Sequence, residues 1–246
     1  WDCGEFISVS YKLEVPHPPG APLYLLIGRL FSFLAMDDTT QVAYWINFAS
    51  VLASAFTILF LFWSITLFAR KMMGTGSEPI NEEKTWLIMG AGLVGSLAYT
   101  FSDSFWFSAV EAEVYAMSSF FTAFVVWAML KWDAIEDESK ANRWLILIFY
   151  MMGLSIGVHL LNLVTIPALG LLYYFKKYKE PTMWGTIFTM IISLLLIVFI
   201  NNFIIPGLPS IAGAVEMYFL NGLGVPFGSG ALVFVLMVFA LLIFGI

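Results

Sequence analysis

Residues 41–69 read QVAYWINFASVLASAFTILFLFWSITLFA, a run of 29 residues that contains no Asp, Glu, Lys or Arg. A helix needs about 20 consecutive apolar residues to cross the hydrocarbon core of a bilayer. Arg70 and Lys71 follow directly, at the point where the run ends. The stretch therefore predicts a membrane-spanning helix that ends in a charged loop.

The composition of the whole chain agrees with a membrane protein. Of its 246 residues, 61% are hydrophobic and 11% are charged, whereas a soluble domain carries about 25% charged residues. Such a sequence cannot hide its apolar surface in a soluble fold, and it is too hydrophobic to be disordered. The net charge of −6 without a basic run speaks against nucleic acid as a partner, and the single cysteine, Cys3, excludes a disulfide scaffold.

Further apolar runs predict an all-α polytopic membrane protein with a single transmembrane domain over residues 1–246. Spanning helices are expected at approximately 41–69, 85–102, 114–130, 144–158, 160–175, 183–205 and 229–246. The run 144–175 is interpreted as a hairpin of two short helices that meet near His159. Residues 22–36 are short for a span, so we expect a helix at the membrane interface. Because the chain starts without Met and stops inside an apolar run, we expect a fragment.

The charges indicate which side of the membrane each loop faces. Nine of the eleven cations lie in the loops 70–84, 131–143 and 176–182, which the positive-inside rule places in the cytoplasm. The opposite side then holds the first loop, 1–40, together with 103–113, the turn near His159, and 206–228. Those segments contain the acids Asp2, Glu5, Glu14, Asp37, Asp38, Asp103, Glu111, Glu113 and Glu216. Several of these acids have apolar and aromatic neighbours in the sequence, which is unusual for solvated loops.

The first outer segment, WDCGEFISVSYKLEVPHPPGAPLY at 1–24, contains the strongest candidates for catalysis. Asp2 and Glu5 are three residues apart, so a helical turn places both carboxylates on one face. Apolar surroundings can raise a carboxylate pKa, which suits a general base. The alternative is an ordinary helix-capping Asp. His17 lies in a rigid Pro-rich turn, which predicts either a side chain held over a membrane site or simply the entry to a helix.

Two further outer segments contain polar candidates. In DSFWFSAVEAEVYAMSSFF, at 103–121, Glu111 and Tyr115 are four apart and share a face if the segment is helical, while Glu113 points elsewhere. In GLSIGVHLLNLVTIPA, at 153–168, His159 and Asn162 are three apart. Polar residues at membrane depth are candidates for function. The alternatives are interfacial solvation of the two acids and a hydrogen-bonded hairpin turn around His159.

These residue types fit a site for a lipid-linked sugar phosphate. The phosphate needs cations or hydrogen-bond donors, which the outer face offers at Lys12, His17, Arg29 and His159. An acceptor hydroxyl needs a base, a role that Asp2 or Glu5 could fill. The sequence has no phosphate-binding Gly-rich loop with its Lys, no Cys/His zinc cluster, no HExxH and no GxSxG. We therefore assign no metal ligands and no cofactor, and we leave a divalent-metal requirement open.

The chain also resembles a known family. The strings WDCGEFI at 1–7 and YKLEVPHPPGAPLYLLIGRLFS at 11–32 strongly resemble the start of a bacterial family of polytopic proteins. That family is grouped with the protein O-mannosyltransferase-like enzymes of the GT-C glycosyltransferase superfamily. Three later strings resemble it in the same order: SFWFSAVEAEVYAMSSFF at 104–121, GLSIGVHLLNLVTIPALGLLYY at 153–174 and LPSIAGAVEMYFLNGLGVPFGSG at 208–230.

The resemblance implies a GT-C-like helical bundle that takes sugar from a polyprenyl-phosphate carrier. Enzymes of this type place a catalytic acid in the first outer loop, a role that falls on Asp2 with Glu5 beside it. It also implies that the first transmembrane helix and a C-terminal part are missing here, and that a bacterial member acts at the periplasmic face of the inner membrane. Many relatives have adjacent Asp-Glu, whereas this chain spaces its acids as Asp2 and Glu5.

We therefore predict a membrane glycosyltransferase that moves a mannose-like sugar from a polyprenyl-phosphate carrier to Ser or Thr hydroxyls of exported proteins. Asp2 and Glu5 are the expected catalytic residues. The residues expected to bind substrate are Lys12, His17, Arg29, Glu111, Glu113, Tyr115, His159 and Asn162. The alternatives are a transporter or flippase of lipid-linked sugar, with polar residues in broken helices at the bilayer midplane, and a non-catalytic scaffold of a secretion machine.

Overall fold

The computed structural model describes residues 2–74 and 81–244. Within those ranges the chain is helical and contains no β-strand, which confirms the all-α class predicted from the sequence. The chain divides into two compact units, Trp1–Pro181 and Thr182–Ile246. Each unit is described below by itself.

Helices of the first unit follow the apolar runs of the sequence. The bounds are α1 Cys3–Lys12, α2 Pro22–Ser32, α3 Val42–Met72, α4 Glu82–Thr100, α5 Asp103–Ser108, α6 Val114–Asp133, α7 Glu138–Ile156 and α8 Ile166–Lys177. A 3₁₀ turn, Leu160–Thr165, leads into α8, so the run 144–175 does form two helices with a break at His159. Part of the predicted loop 70–84, residues 75–80, lies outside the described residues.

Three helical stretches are long and apolar enough to cross a membrane. They are Thr39–Met72, Val114–Asp133 and Met183–Gly222. Pro22–Ala35 and Ser229–Phe244 are apolar but shorter. The first of these two covers the segment predicted to lie at the interface. The spans predicted at 85–102, 144–158, 160–175 and 229–246 stay predictions.

An aromatic ladder joins α3 to α6. The rings of Phe60 and Phe124 lie 5.0 Å apart, and Phe60 also meets Trp127 at 5.1 Å. One helical turn away on either side, Phe56 meets Phe120 at 6.2 Å and Trp63 meets Trp127 at 5.5 Å. Side chains three and four residues apart share a helix face, so a regular row of rings on each helix brings the two into contact. Each such pair contributes about 0.5–1.5 kcal/mol beyond its buried area.

Two lysines bond groups at the end of α6, on the side of the first unit that the sequence assigns to the cytoplasm. Lys176 of α8 donates to the carbonyls of Trp132 and Ile135, and its ammonium lies 4.6 Å from the centre of the Trp132 ring. Lys71 of α3 contacts the carboxylate of Asp133 at 2.5 Å. The last carbonyls of a helix lack intrahelical partners, so cations near the end of α6 stabilise it.

At the opposite end, α2 is fastened to the turn between α7 and α8. The carbonyl of Gly157 accepts the N–H of Leu23 at 2.7 Å and that of Tyr24 at 3.3 Å. The first N–H groups of a helix have no partner within it, so this carbonyl completes the start of α2. A Cβ on Gly157 would lie 2.9 Å from the Cβ of Leu23, so the close approach requires glycine.

The second unit corrects one sequence prediction. Residues 206–228 were expected to form an outer loop, yet α9, Met183–Phe199, continues through Ile200–Ile204 into α10, Ile205–Met217, and on to Gly222. The stretches Ile200–Ile204 and Tyr218–Gly222 are π-helical turns. Proline removes an α-helical hydrogen bond and clashes with the preceding turn, so Pro206 and Pro209 are unusual within a continuous helix. A wider π turn directly before Pro206 shifts the hydrogen-bond pattern there and lets the helix continue.

Glu216 pairs α10 with α11, Ser229–Phe244. Its carboxylate accepts the N–H of Gly228 at 2.6 Å and that of Ala231 at 2.8 Å, so it satisfies backbone donors at the start of α11. A Cβ on Gly230 would lie 2.5 Å from the Cα of Glu216, so the two backbones meet directly. This acid therefore belongs to a helix junction, although the sequence placed it in an outer loop.

The docking of α2 can be tested at Gly157. We expect Gly157→Ala to push Leu23 away and weaken its hydrogen bond, because overpacking costs about 1–3 kcal/mol. The thermal-unfolding midpoint of the detergent-solubilised full-length protein should fall. Gly153→Ala, one turn earlier on α7 with no atom within 4 Å of the new Cβ, is the matched control and should not lower it. Equal midpoints for the two variants would contradict this docking.

Candidate functional site

The first turn of α1 brings two acids together. Asp2 is the residue that precedes the helix, and its carbonyl accepts the N–H of Phe6 at 2.9 Å. Glu5 follows in the first turn, so the spacing of three places both carboxylates at the same end of α1, as the sequence predicted. Phe6 and Val9, one turn further along α1 from Asp2 and Glu5, are buried in an apolar cluster with Tyr24 and Leu25 of α2.

His17 folds back onto Glu5. The Glu5 carboxylate accepts the backbone N–H of His17 at 2.8 Å, and its other oxygen lies 3.0 Å from the His17 Nδ1. The imidazole also meets the edge of the Phe6 ring, with centroids 5.9 Å apart. Both carboxylate oxygens of Glu5 bond His17, and these two contacts hold the Pro-rich turn against the start of α1.

The hydrogen bonds between Glu5 and His17 shift both pKa values. Bonds from the His17 backbone and side chain lower the pKa of Glu5, and the bond to Glu5 raises the pKa of His17. The expectation that apolar walls raise the carboxylate pKa is therefore wrong for Glu5, because its oxygens face hydrogen-bond donors. Each shift favours the charged form of its group, the carboxylate of Glu5 and the imidazolium of His17.

Asp2, Glu5 and His17 form a compact group of potential ligands. One ligand atom from each lies within 4.8 Å of the others, so these residues could hold a metal ion. Carboxylate oxygen with imidazole nitrogen suits divalent cations such as Zn²⁺ or Mn²⁺. The sequence assigned no metal here, and Glu5 and His17 also bond to each other directly, with the Asp2 carboxylate nearby.

The two cations of the first loop lie away from this cluster. Arg29 donates to the carbonyl of Tyr11 at 2.5 Å and lies between the rings of Tyr11 and Phe33, at 5.1 and 4.6 Å. Lys12 is largely exposed and lies 3.9 Å from Glu14. Residues 11–12 end α1, about 15 Å along the helix axis from Asp2 at 1.5 Å per residue. The structure therefore does not gather Lys12 and Arg29 around Asp2.

Glu111 and Glu113 lie in the loop before α6. Because α6 begins at Val114 and Glu113 has extended backbone angles, the predicted shared helix face of Glu111 and Tyr115 is wrong. Ala112, between the two acids, is fully buried in an apolar cluster that also contacts Cys3 and Ile7 of α1. This contact brings both acids alongside the helix that carries Asp2 and Glu5.

Tyr24 is a site residue that the sequence analysis did not single out. It is 1% exposed and packs edge-on against Phe6 at 5.3 Å, and its hydroxyl lies beside that of Ser50 on α3. Burial raises the pKa of Tyr24 against the lowering effect of the Ser50 hydroxyl, and the nearby Cys3 and Glu113 add to the rise, so the phenol stays protonated. The sequence does show an isolated Tyr in an apolar helix. That pattern alone does not distinguish a functional tyrosine from one that is simply packed in the core.

The hairpin turn presents His159 and buries Asn162. His159 accepts the Leu161 N–H at its Nδ1 with a distance of 3.1 Å, and its ring lies 5.6 Å from that of Tyr115. A neutral ring in this arrangement carries its proton on Nε2 and can donate it. Asn162 is 0% exposed and donates to the Ser155 hydroxyl at 3.0 Å, so it stabilises the turn from inside.

The site therefore divides into three groups. The first is Asp2, Glu5 and His17, whose side-chain ligand atoms lie within 4.8 Å of one another. The second is the acidic loop 111–113, which packs alongside α1 through Ala112. The third is the pair Tyr115 and His159, which connects to the others through the bond from Leu23 to Gly157. The described polar groups can accept a proton, present a cation and donate to an oxyanion, which suits transfer of a group to a hydroxyl.

This part of the chain is similar in sequence to known proteins. Residues 2–182 match the family described as "Protein O-mannosyl-transferase TMEM260 N-terminal domain". The chain is 29% identical over 125 residues to "Protein O-mannosyl-transferase tmem260" of Dictyostelium discoideum, covering 51% of this chain and 13% of that protein. It is 23% identical over 186 residues to "Protein O-mannosyl-transferase TMEM260" of Mus musculus, covering 74% of this chain and 24% of the relative. No solved structure matches.

The family match ends one residue after the first compact unit, Trp1–Pro181, so it covers the unit that contains all three polar groups. The chain spans 13% and 24% of the length of the two curated relatives. The match covers well over half of the 246 residues, and the chain belongs to the family of the protein O-mannosyl-transferase TMEM260 N-terminal domain.

Proposed function

We propose that the protein containing this chain is a membrane glycosyltransferase that moves mannose from a polyprenyl-phosphate carrier to Ser or Thr hydroxyls of exported proteins. The family and the names of the two relatives support mannose transfer to protein. The observation that carries the proposal is the proximity of Asp2, Glu5 and His17 at the start of α1, where their ligand atoms lie within 4.8 Å of one another. It places a carboxylate beside a paired cation, as a proton-coupled displacement requires.

Asp2 is the proposed general base. Its carboxylate takes the proton of the acceptor hydroxyl, and the hydroxyl oxygen forms a bond to the anomeric carbon of the sugar. The bond between that carbon and the phosphate oxygen breaks, and its electron pair leaves with the carrier phosphate. The configuration at the anomeric carbon inverts, because attack and departure occur on opposite sides.

The remaining candidates receive supporting roles in this proposal. His17 offers positive charge to the leaving phosphate, and Glu5 orients the imidazole. Glu111 and Glu113 accept hydrogen bonds from sugar or acceptor hydroxyls. Further candidates act through the fold: Arg29 holds α2 to the end of α1, and Asn162 holds the hairpin turn.

The side of the membrane follows from the cations. The cationic loops mark the cytoplasmic side, so we infer that α1 and α2 lie on the opposite side with the site. In a bacterial cell this is the periplasmic face of the inner membrane, where exported proteins pass. A transporter would instead require polar groups in broken helices at the bilayer midplane, whereas Asp2, Glu5 and His17 lie before the first candidate span, Thr39–Met72.

The base role of Asp2 predicts a loss of turnover on Asp2→Asn. The amide keeps the shape of the side chain but cannot accept the proton, so we expect the rate to fall by about 10²–10⁴-fold. The measurement is transfer of mannose from polyprenyl-phosphate mannose to a Ser/Thr peptide by the full-length protein. Asp37→Asn, an identical change at an exposed position of the same segment, should keep wild-type turnover. Unchanged turnover of Asp2→Asn would remove Asp2 from this role.

The raised pKa of His17 predicts a pH dependence. Its cation contributes below the ordinary value of 6.5 and is lost only as pH rises through the raised pKa, so turnover should decline above 6.5. In Glu5→Gln the main stabilising hydrogen bond weakens, and the alkaline limb should move down towards 6.5.

Transfer rates measured over roughly pH 5 to 9, the range in which histidines titrate, test this expectation. Glu14→Gln is the control, because Glu14 is exposed and its close contact is with Lys12. The same alkaline limb in the wild type and in Glu5→Gln would show that the Glu5–His17 pair does not govern the reaction.

A further inference from the structure

The two histidines of the chain have opposite environments. His17 contacts the Glu5 carboxylate, which raises the pKa of the imidazole and favours its charged form. His159 accepts the N–H of Leu161 at its Nδ1, and burial lowers its pKa, so the neutral form is favoured. A neutral ring that accepts at Nδ1 carries its proton on Nε2 and donates from there. The chemistry proposed at Asp2 gives a role to His17 and none to His159.

Tyr115, the second residue of α6, lies beside His159. The two ring centroids are 5.6 Å apart, and the ring planes are inclined at 54° to each other. The Tyr115 side chain is 48% exposed, although the residues on either side of it are buried. The outer end of α6 therefore presents an accessible aromatic ring next to a neutral hydrogen-bond donor.

One apolar cluster connects this pair to the acids at the start of α1. Buried residues from α1, α6 and the hairpin turn pack together in that cluster: Phe6, Val114 and Val158. Their direct neighbours in the sequence are Glu5, Tyr115 and His159, in that order. The three polar candidates therefore lie around the edge of a single cluster, so the Tyr115–His159 pair belongs to the same part of the first unit as the Asp2 group.

The surroundings of the pair indicate an uncharged ligand. Residues 103–130 and 144–175, the segments that contain Tyr115 and His159, have no Lys or Arg. In the first loop, Lys12 and Arg29 lie at the end of α1 that is remote from Asp2. A phosphate binds most strongly to charged donors, which these two segments do not supply. In the proposed reaction the uncharged part of the donor is its sugar.

A sugar ring matches both members of the pair. The C–H bonds of a pyranose carry partial positive charge and the face of an aromatic ring is negative, so the two surfaces attract each other. The hydroxyls of the sugar accept hydrogen bonds from neutral donors and donate to carboxylates. Tyr115 supplies the ring and His159 the donor, and Glu113 lies two residues before Tyr115 in the chain.

We propose that Tyr115 and His159 form the subsite for the sugar of the donor. The Tyr115 ring packs against the C–H face of the pyranose, and the His159 Nε2–H donates to a sugar hydroxyl. This inference rests on the proposed function for the identity of the donor, a polyprenyl-phosphate mannose. It divides the two histidines between the two parts of that donor, since the charged His17 serves the phosphate and the neutral His159 serves the sugar.

The variants remove each contact separately. His159→Asn keeps an oxygen that can accept the Leu161 N–H, because Asn is favoured at the start of a helix, but it has no group at the position of Nε2. Tyr115→Leu removes the ring, whereas Tyr115→Phe keeps it. Tyr150→Leu is the matched control, because Tyr150 is exposed on α7. Thermal-unfolding midpoints near that of the control show which variants are folded, and His159→Asn suffices for the test if Tyr115→Leu is not.

The measurement compares the binding of two lipids to the full-length protein: polyprenyl-phosphate mannose and polyprenyl phosphate without sugar. In His159→Asn and Tyr115→Leu the Kd for the mannose lipid should rise about 3–10-fold, the effect of one lost hydrogen bond or ring contact. The Kd for the lipid without sugar should stay unchanged. Tyr115→Phe and Tyr150→Leu should bind both lipids as the wild type does.

Three outcomes would overturn the inference. An equal rise in Kd for both lipids would assign the pair to the phosphate or the lipid chain, and unchanged Kd values for both would exclude a contact with the sugar. A rise confined to the KM for the acceptor peptide would assign the pair to the acceptor instead. The proposed function fails separately: a wild type that binds the mannose lipid more tightly than the lipid without sugar, yet transfers no mannose, would refute that function and leave the subsite in place.

Discussion

The carbonyl of Gly157 is the contact on which the first unit depends. It accepts two N–H groups from the start of α2, and no side chain stands between the two backbones. The first loop contains only short helices. This contact attaches it to the bundle of longer helices. Phe6 then packs on Tyr24, so α1 inherits its position from α2. The acids at the start of α1 are held against the bundle partly in this indirect way and partly by Cys3 and Ile7, which pack on the apolar cluster around Ala112.

Some of the few charged side chains stabilise helix ends, whereas others belong to the candidate site. Lys176 and Arg29 both donate to carbonyls near the end of a helix, Lys176 at α6 and Arg29 at α1. Glu216 does the converse and satisfies donors at the start of α11. These groups bond the unpaired backbone N–H and C=O groups at helix ends. Leaving such groups without a partner costs more free energy where water is scarce. The Glu5–His17 pair differs, because it is exposed to solvent and lies beside a further carboxylate.

Sequence alone predicted most of the helices, because an apolar run such as 41–69 can satisfy its backbone hydrogen bonds inside a membrane by forming a helix. It also predicted the pairing of Asp2 with Glu5, since a spacing of three determines a helix face. It did not predict the partners of Arg29 and Asn162, whose bonds go to groups that only packing brings near. The helix through 205–217 was missed because prolines usually end helices, and the π turn that accommodates Pro206 has no signature in a single sequence. Tyr24 was missed because its burial depends on α1, α3 and α6 together.

The long helical stretch Met183–Gly222 has a consequence for the bilayer around it. Its 40 residues extend about 60 Å, roughly twice the thickness of the hydrocarbon layer. Even the steepest tilts seen for such helices, about 40°, would shorten its projection only to about 45 Å. A straight helix of this length is mismatched with any ordinary membrane, so the stretch either bends at its prolines and π turns or extends among the lipid headgroups. Asn201 and Asn202, in the first π turn, are suited to the level at which it leaves the hydrocarbon.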